Sequence, residues 1–192
     1  NMVLNLNGYT ISGAIEKGNG AVVNVAEGIT VEIYGGEIKS TAQNGDAAIN
    51  NAGNLVLRGV AIEGAPLADG GYSAYAVISS GIMVIENGTE VSAERGSIKV
   101  TGAGETVING GTFTGSSDWN NGTYQHILKA ENTEVVINGG TFDATIQGMT
   151  NAMINVSENS VVTINGGTFK NVNGVIPQFA PYMFTYEKNG KL

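Results

Sequence analysis

The sequence predicts an all-β fold in which parallel coils of about 26 residues stack into a single solenoid domain. Three observations predict this fold. A hexapeptide recurs along the chain, the residues just before it alternate between apolar and variable positions, and glycine and asparagine are unusually frequent. No segment shows a helical apolar period, so we expect strands and turns rather than helices to connect the coils.

The composition limits the class of protein. A chain of 192 residues is long enough for one domain, and its 29 glycines predict many tight turns. Only 9 Lys and Arg stand against 17 Asp and Glu, so the net charge of −8 argues against binding a nucleic-acid backbone. The chain has no cysteine, which excludes disulfides and thiolate metal sites, and no apolar run long enough to insert into a membrane.

The repeat is the strongest signal. The hexapeptide Ile-Asn-Gly-Gly-Thr-Phe begins at Ile108 and recurs verbatim at Ile137 and Ile164. Weaker copies begin at residues 6, 33 and 57, and a degraded copy begins at residue 85. The intervals of 27, 24, 28, 23, 29 and 27 residues predict about seven coils, with turns that absorb the differences in length.

The first strand of each coil is predicted just before the glycine pair. Period-two alternation places the outer members of each triplet inside and the middle member outside. The middle members would form an outward column with four valines, which either packs under a loop or contacts a partner or a second copy. The predicted outward column is Asn5, Glu32, Val56, Val84, Val107, Val136 and Thr163.

A second strand is predicted upstream of each triplet. Its inward pairs are Val23/Val25, Ala47/Ile49, Tyr75/Val77, Ile98/Val100 and Ile154/Val156. In the sixth coil Ile127 is followed by Lys129 where an apolar residue is expected, which we interpret as a bulge or a slipped register, since an unpaired buried lysine costs too much free energy.

The end of the hexapeptide predicts a third short strand and two ladders. Phe113, Phe142 and Phe169 should stack at one corner of the coil. Asn7, Asn109, Asn138 and Asn165 should share one ladder position, where asparagine accepts left-handed backbone and amides bond along the column.

The two ends of the chain differ in composition. The sequence begins inside a strand pattern at Asn1, so we expect it to be an excised piece of a longer protein. Residues 1–174 carry the repeats. Residues 175–192 begin with a segment rich in proline and aromatic residues, which we interpret as a C-terminal cap and exit segment; a binding platform is the alternative.

Two long loops, at residues 63–73 and 114–124, are predicted to leave the same corner two coils apart. Exposed aromatic rings beside Asp and Asn can bind sugars, because a ring stacks on the apolar face while polar groups bond the hydroxyls. The alternative is that Trp119 folds back to anchor its own loop, and His126 is expected at the surface. The candidate binding residues are Asp69, Tyr72, Asp118, Trp119, Tyr124 and His126.

The corner Asn-Gly-Gly-Thr-Phe and the opening residues Leu4–Ile11 resemble the right-handed parallel β-helix repeats of the pectate-lyase-like superfamily. More narrowly, they resemble adhesin-like repeat regions of large surface proteins of anaerobic gut bacteria. The resemblance covers about residues 3–170 and implies an extracellular or cell-surface location. Relatives in the superfamily include polysaccharide lyases and hydrolases, adhesins and phage tailspikes, so the resemblance implies the fold more strongly than an activity.

The chemistry of those enzymes has little counterpart in the residues. The lyases hold Ca²⁺ with clustered carboxylates and use Arg or Lys as base, but this chain has only Arg58 and Arg95, and we expect Arg58 to point outward. The Gly-His-Gly and Arg-Ile-Lys motifs of the hydrolases are missing. Asp69, Asp118 and Asp143, with Glu63 nearby, are predicted at the variable corner, where they could form a glycosidase pair or bind Ca²⁺.

We therefore predict a non-catalytic surface module, adhesin-like or a rigid spacer, with weak glycan binding at the long-loop corner. We assign no catalytic residue, no metal and no cofactor, and the expected partner is a polysaccharide or a surface glycan. The alternatives are a fragment of a carbohydrate-active enzyme and a phage appendage. A monomer is favoured over the trimer that a phage appendage would form.

Overall fold

The computed structural model describes residues 1–67, 74–115, 126–144, 153–157, 159–171 and 184–186, and they form a parallel β-solenoid without any helix. The predicted fold class is confirmed. In chain order the strands are β1 Met2–Asn5, β2 Thr10–Gly13, β3 Val23–Val25, β4 Thr30–Ser40, β5 Ile49–Asn51, β6 Asn54–Glu63, β7 Val77–Ser79, β8 Ile82–Ile85, β9 Glu90–Ala93, β10 Ile98–Thr101, β11 Glu105–Ile108, β12 Thr112–Gly115, β13 Leu128–Glu131, β14 Glu134–Ile137, β15 Thr141–Ala144, β16 Ile154–Val156, β17 Val161–Ile164, β18 Thr168–Asn171 and β19 Phe184–Tyr186.

A coil has three strand positions, which single long strands join in pairs at β4 and β6, and every strand pair in the described residues is parallel. The first strands stack as β1, β4, β6, β8, β11, β14, β17 and β19. The strands after the corner stack as β2, β4, β6, β9, β12, β15 and β18, because β4 and β6 run through the corner. The strands upstream of the triplets, which are the predicted second strands, form a separate sheet of six, so among the described residues complete coils are slightly fewer than the about seven copies in the sequence.

The inward and outward faces of the first strand are as predicted. In β14, Val135 and Ile137 are buried and Val136 is half-buried, and β8 and β17 repeat this pattern. The alignment of the first coil was wrong by two residues. Leu4, not Leu6, pairs with Ile33, so Val3 rather than Asn5 begins the outward column. Two extra residues at the first corner displace the strand from its glycine.

The same displacement corrects the asparagine ladder. Asn5, not Asn7, follows the inward Leu4 and so occupies the ladder level of Asn109. Asn138 donates to Asn109 and Asn165 donates to Asn138, each from Nδ2 to Oδ1 over 2.9 Å, which confirms the predicted amide column. Left-handed backbone was predicted at these asparagines, but only Asn7 has a positive φ, of 49°. The second glycine of each hexapeptide turns the corner instead, at Gly111, Gly140 and Gly167.

The second strand also departs from its predicted pairs. Ile49 and Val77 lie level with Val23, so the next inward positions belong to Asn51 and Ser79. Both side chains are fully buried. Asn51 Nδ2 donates to Ser79 Oγ over 2.9 Å, which satisfies the two polar groups inside the stack.

Of the two alternatives predicted at Lys129, the bulge is wrong, and the inward positions are shifted by one residue, from 127 and 129 to 128 and 130. Leu128 pairs with both Ile98 and Ile154, so the sixth coil keeps a regular register in which Leu128 and Ala130 point inward. Lys129 is therefore the outward middle residue of β13. Its ammonium lies 2.6 Å from Glu131 Oε1, so the lysine has an ion-pair partner and is not buried without one.

Phe113, Phe142 and Phe169 stack as predicted, with ring centroids 4.7 and 5.0 Å apart. Most of the predicted cap lies outside the described residues. Its one described piece, β19, pairs in parallel with β17 and adds a strand to the end of the first column. The cap as a whole stays a prediction.

Candidate functional site

Five of the six predicted binding residues lie in the two long loops, outside the described part of the chain. They are Asp69, Tyr72, Asp118, Trp119 and Tyr124. The structure describes the first residues of both loops, the turn that lies between the two loops, and His126.

The two loops leave the same corner, as predicted. Gly64 follows β6 and donates its backbone N–H to Ser92 over 2.8 Å, and Gly115 at the end of β12 pairs with Ala93. Between the loops, the fourth coil passes from β9 to β10 through a short turn at 94–97. This turn is shorter than the two long loops, and the described ends of those loops lie on either side of it.

Charged side chains of this short turn hold the adjacent loop. Glu94 accepts the backbone N–H of Leu67 over 2.6 Å, which fixes the first foot of the 63–73 loop. The Arg95 guanidinium lies 5.3 Å from the ring centroid of the buried Tyr75, a cation–π distance. The corner is therefore built by contacts between successive coils.

His126 was expected at the surface, but only 7% of it is exposed. The reason is the stacking of coils. Val77, Ile98 and Leu128 pair in adjacent strands, so the residues two positions before them also lie level with one another: Tyr75, Gly96 and His126. A Cβ at Gly96 would clash with the His126 carbonyl and the Tyr75 ring, so these coils touch without any spacing side chain. So little exposed surface makes the His126 side chain a poor ligand contact.

A polar groove of about 520 Å³, which we call the threonine trough, runs along the glycine corner. One side of the trough consists of threonines that point outward, because each precedes an inward phenylalanine: Thr112, Thr141 and Thr168. Glycines of the corner, which carry no side chain, form the floor: Gly111, Gly139, Gly140 and Gly167. Glu90 continues the threonine column in the fourth coil, and an extra residue near Asn87 closes that end of the trough.

One polar group in the wall of the trough is buried. Thr89 is fully buried, and its Oγ1 has no hydrogen-bond partner among the described residues. A buried hydroxyl without a partner costs free energy, of about 1–3 kcal/mol. Such a cost is tolerated most readily where a ligand or water can supply the bond.

A smaller pocket of about 220 Å³, the glutamate pocket, adjoins the trough on the same strand face. Glu37, Glu63 and Glu90 come from three successive coils around it. Lys39 lies 2.7 Å from Glu63, and this hydrogen bond raises the pKa of Lys39. One of the three carboxylates that line the pocket, Glu63, is therefore paired with an ammonium group.

The acidic cluster predicted at the variable corner is not formed by Asp143. Asp143 lies in β15, where its carboxylate is 3.4 Å from the Lys170 ammonium. It shares a column with Glu63, Ser92 and Thr114, so it stands three strand spacings from Glu63, or about 14 Å. That separation exceeds the range of glycosidase carboxyl pairs. Among the described residues no group of three acidic or imidazole side chains could hold a metal ion.

The sheet of six strands carries a second charged cluster. Glu131 lies 2.8 Å from Lys99 and 2.6 Å from Lys129, whose side chains are level in adjacent coils. Burial alone would raise the pKa of Glu131, but the hydrogen bonds from Lys129 and Lys99 outweigh it and lower the pKa. The parallel register places the two ammonium groups side by side, and their shared bond to this carboxylate offsets the repulsion between them.

No family model matches the chain, and neither a curated protein nor a solved structure matches it. The parallel β-solenoid therefore stands on the register of the strands themselves. The finer resemblance to pectate-lyase-like and adhesin repeats stays a hypothesis. None of the described residues belongs to a helix that could cross a membrane.

Sequence reasoning missed the trough and the glutamate pocket. The signal for the trough was present, because the fifth residue of the verbatim hexapeptide is always threonine and precedes an inward phenylalanine. The glutamate pocket gave no such signal. Its three carboxylates come from coils with the weaker and degraded copies of the repeat, and only the register brings them together.

Proposed function

We propose that the chain is a non-catalytic module of an extracellular or cell-surface protein, acting as a rigid, adhesin-like spacer that also makes weak contacts with glycans. The observation that carries the proposal is the constant parallel register, which stacks like side chains through successive coils. Three phenylalanines stack in one column and three asparagines bond in another. Every such ladder resists bending between neighbouring coils.

Ion pairs between neighbouring coils add to this stiffness on the outer faces. Lys39 bonds Glu63 of the next coil, Arg58 pairs with Glu32 of the coil before it, and Glu131 bonds Lys99. A solenoid of this kind is a quasi-one-dimensional object whose length is set by the number of coils. Spacing is therefore the role that its architecture supports best.

The glycan contact rests on two surfaces. The first is the loop pair that carries Trp119 and Tyr72, whose side chains lie outside the described residues. The second is the threonine trough, which offers hydroxyl groups in a repeating row and the carboxylate of Glu90. One aromatic ring stacked on a sugar supports only weak affinity, so we expect binding to require many copies.

A glycan array probed with the protein displayed on multivalent particles tests this contact. We expect binding by the parent, loss of binding in Trp119→Ala, and an unchanged melting temperature. Tyr9→Ala is the matched control, because Tyr9 is an exposed aromatic residue in the first coil, four strand spacings from β12, the strand that precedes the Trp119 loop. The contrary outcome is a parent protein that binds no glycan and a Trp119→Ala variant with a lower melting temperature. That outcome would show that Trp119 only anchors its loop, and the spacer role alone would remain.

The glutamate pocket favours one alternative, a fragment of a carbohydrate-active enzyme. Glu63 and Glu90 lie in adjacent coils, two residues apart along the strands, and both line this pocket. Glycosidases use pairs of carboxyl groups that flank the scissile bond. Incubation with polysaccharides, followed by detection of new reducing ends, tests the alternative. Release of sugar by the parent but not by Glu90→Gln would support the enzyme and reject the spacer as the primary role.

A further inference from the structure

The chain contains ten Asn-Gly dipeptides, a sequence in which the unhindered glycine amide can attack the asparagine side chain. Seven of them lie within the described residues, and their environments differ. They begin at Asn7, Asn19, Asn44, Asn87, Asn109, Asn138 and Asn165. Because the residue after the asparagine is glycine in all seven pairs, we expect large differences in reactivity to come from the fold.

The attacking glycine amide is already bonded in four of the seven. The N–H of Gly8 donates to Gly35, that of Gly20 to Asp46 and that of Gly45 to Ala42, over 2.5, 3.1 and 3.0 Å. Gly166 donates to Ile137 over 3.4 Å. Each of these bonds must open before the nitrogen can attack.

The glycine amides of the remaining three pairs, Gly88, Gly110 and Gly139, have no hydrogen-bond acceptor in the described part of the chain. Two of these pairs are protected at the asparagine instead. The Asn109 side chain donates to Glu86 and accepts from Asn138, and the Asn138 side chain accepts in turn from Asn165. The amide column holds both side chains along the stack.

Asn87 is the exception. It is exposed, it lies outside the column because the fourth corner has one extra residue, and its side chain makes no hydrogen bond within the described residues. Its Oδ1 rests against Gly110 of the next coil, a contact that supplies no donor. Only here do the attacking nitrogen and the target amide both lack partners.

We propose that Asn87-Gly88 is a site of spontaneous deamidation in the folded protein, and that the asparagine column protects Asn109 and Asn138. The Gly88 nitrogen loses its proton and bonds to Cγ of Asn87, and the Cγ–Nδ2 bond breaks to release ammonia. Water then opens the cyclic imide at either carbonyl to give aspartate or isoaspartate. No oxidant or enzyme is needed.

The product places a new negative charge between Glu86 and Glu90, at the closed end of the threonine trough. Like charges on one face repel one another. The modification therefore makes the trough more acidic as the protein ages.

Peptide mapping by mass spectrometry, after incubation of the folded 192-residue chain in mildly alkaline buffer, tests the proposal. Conversion raises the mass by about 1 Da and introduces a charge. We expect Asn87 to convert at least roughly tenfold faster than Asn109 and Asn138, because two hydrogen bonds hold the side-chain amide of each of these two asparagines. In denaturant the described pairs should convert at similar rates.

Two variants sharpen the test. Asn87→Ser should abolish the fast conversion and leave the other sites unchanged. Asn138→Ala removes the donor to Asn109, so Asn109 should convert several-fold faster while Asn7 keeps its rate; a rise at Asn7 as well would reveal unfolding. Equal rates at Asn87, Asn109 and Asn138 in the folded parent would overturn the proposal.

Discussion

Thr106 occupies an inward position of the first-strand column, between Met83 and Val135 in the adjacent coils. It is fully buried, and its hydroxyl has no hydrogen-bond partner among the described residues. Thr106→Val keeps the branched shape and removes that unsatisfied group, so we expect a gain of about 1 kcal/mol in the free energy of unfolding. Chemical denaturation measures it. Thr112→Val, at an exposed outward position, should give no gain; a loss at Thr106→Val would show that the hydroxyl is bonded.

Glu131 makes stability depend on pH. Because its pKa is lowered in the folded state, its contribution is present above the ordinary carboxyl pKa and is lost as the pH falls through the folded pKa. Glu131→Gln should therefore lower the melting temperature at neutral pH and flatten its decline under acid. Thermal melts over a pH series measure both effects. Gln at the exposed Glu27 is the control and should leave the parent profile intact.

At the scale of the element, the two faces of β14 give a matched pair of variants. Ile137 is fully buried, so Ile137→Asp forces an unpaired carboxyl into the core and should cost several kcal/mol, about 4 or more. Val136 points outward from the same strand, so Val136→Asp should cost about 1 kcal/mol or less. Equal melting temperatures for the two variants would contradict the assigned faces.

The phenylalanine column predicts a gradient along the stack. Phe142 is fully buried between two rings, whereas Phe169 is half-buried and the structure describes a ring on one side of it. Phe142→Ala should cost about 3–5 kcal/mol, and Phe169→Ala clearly less. Urea midpoints of the two variants decide between this gradient and a column in which every ring contributes alike.

The sequence predicted these faces because a period of two is a property of the strand itself. It misjudged the register of the first coil because the copies were aligned on their glycines, while hydrogen bonds align the strands and leave extra residues at Asn7-Gly8. It also placed apolar residues where Asn51 and Ser79 lie, since two buried polar groups that satisfy each other leave no mark in an apolar pattern. The glycan contact at Trp119 stays a prediction.

At the scale of the whole molecule, coils contact only their neighbours, so stiffness must come from the sum of many short ladders. The first coil has a neighbour on one side only among the described residues. Accordingly Met2, Val3, Tyr9 and Ile29 are four of the large apolar side chains that stay exposed. The middle coils are covered on both sides and carry the fully buried core.

The central claim is that this stack is a rigid rod with a fixed parallel register, and pulsed electron paramagnetic resonance tests it most directly. The chain has no cysteine, so spin labels at Val3→Cys and Thr163→Cys attach at defined places. The two positions share the outward column, separated by six strand spacings through residues 32, 56, 84, 107 and 136, or about 29 Å. A single narrow distance distribution near that value is the predicted result. A broad distribution, or a distance far from it, would contradict both the register and the rigid spacer.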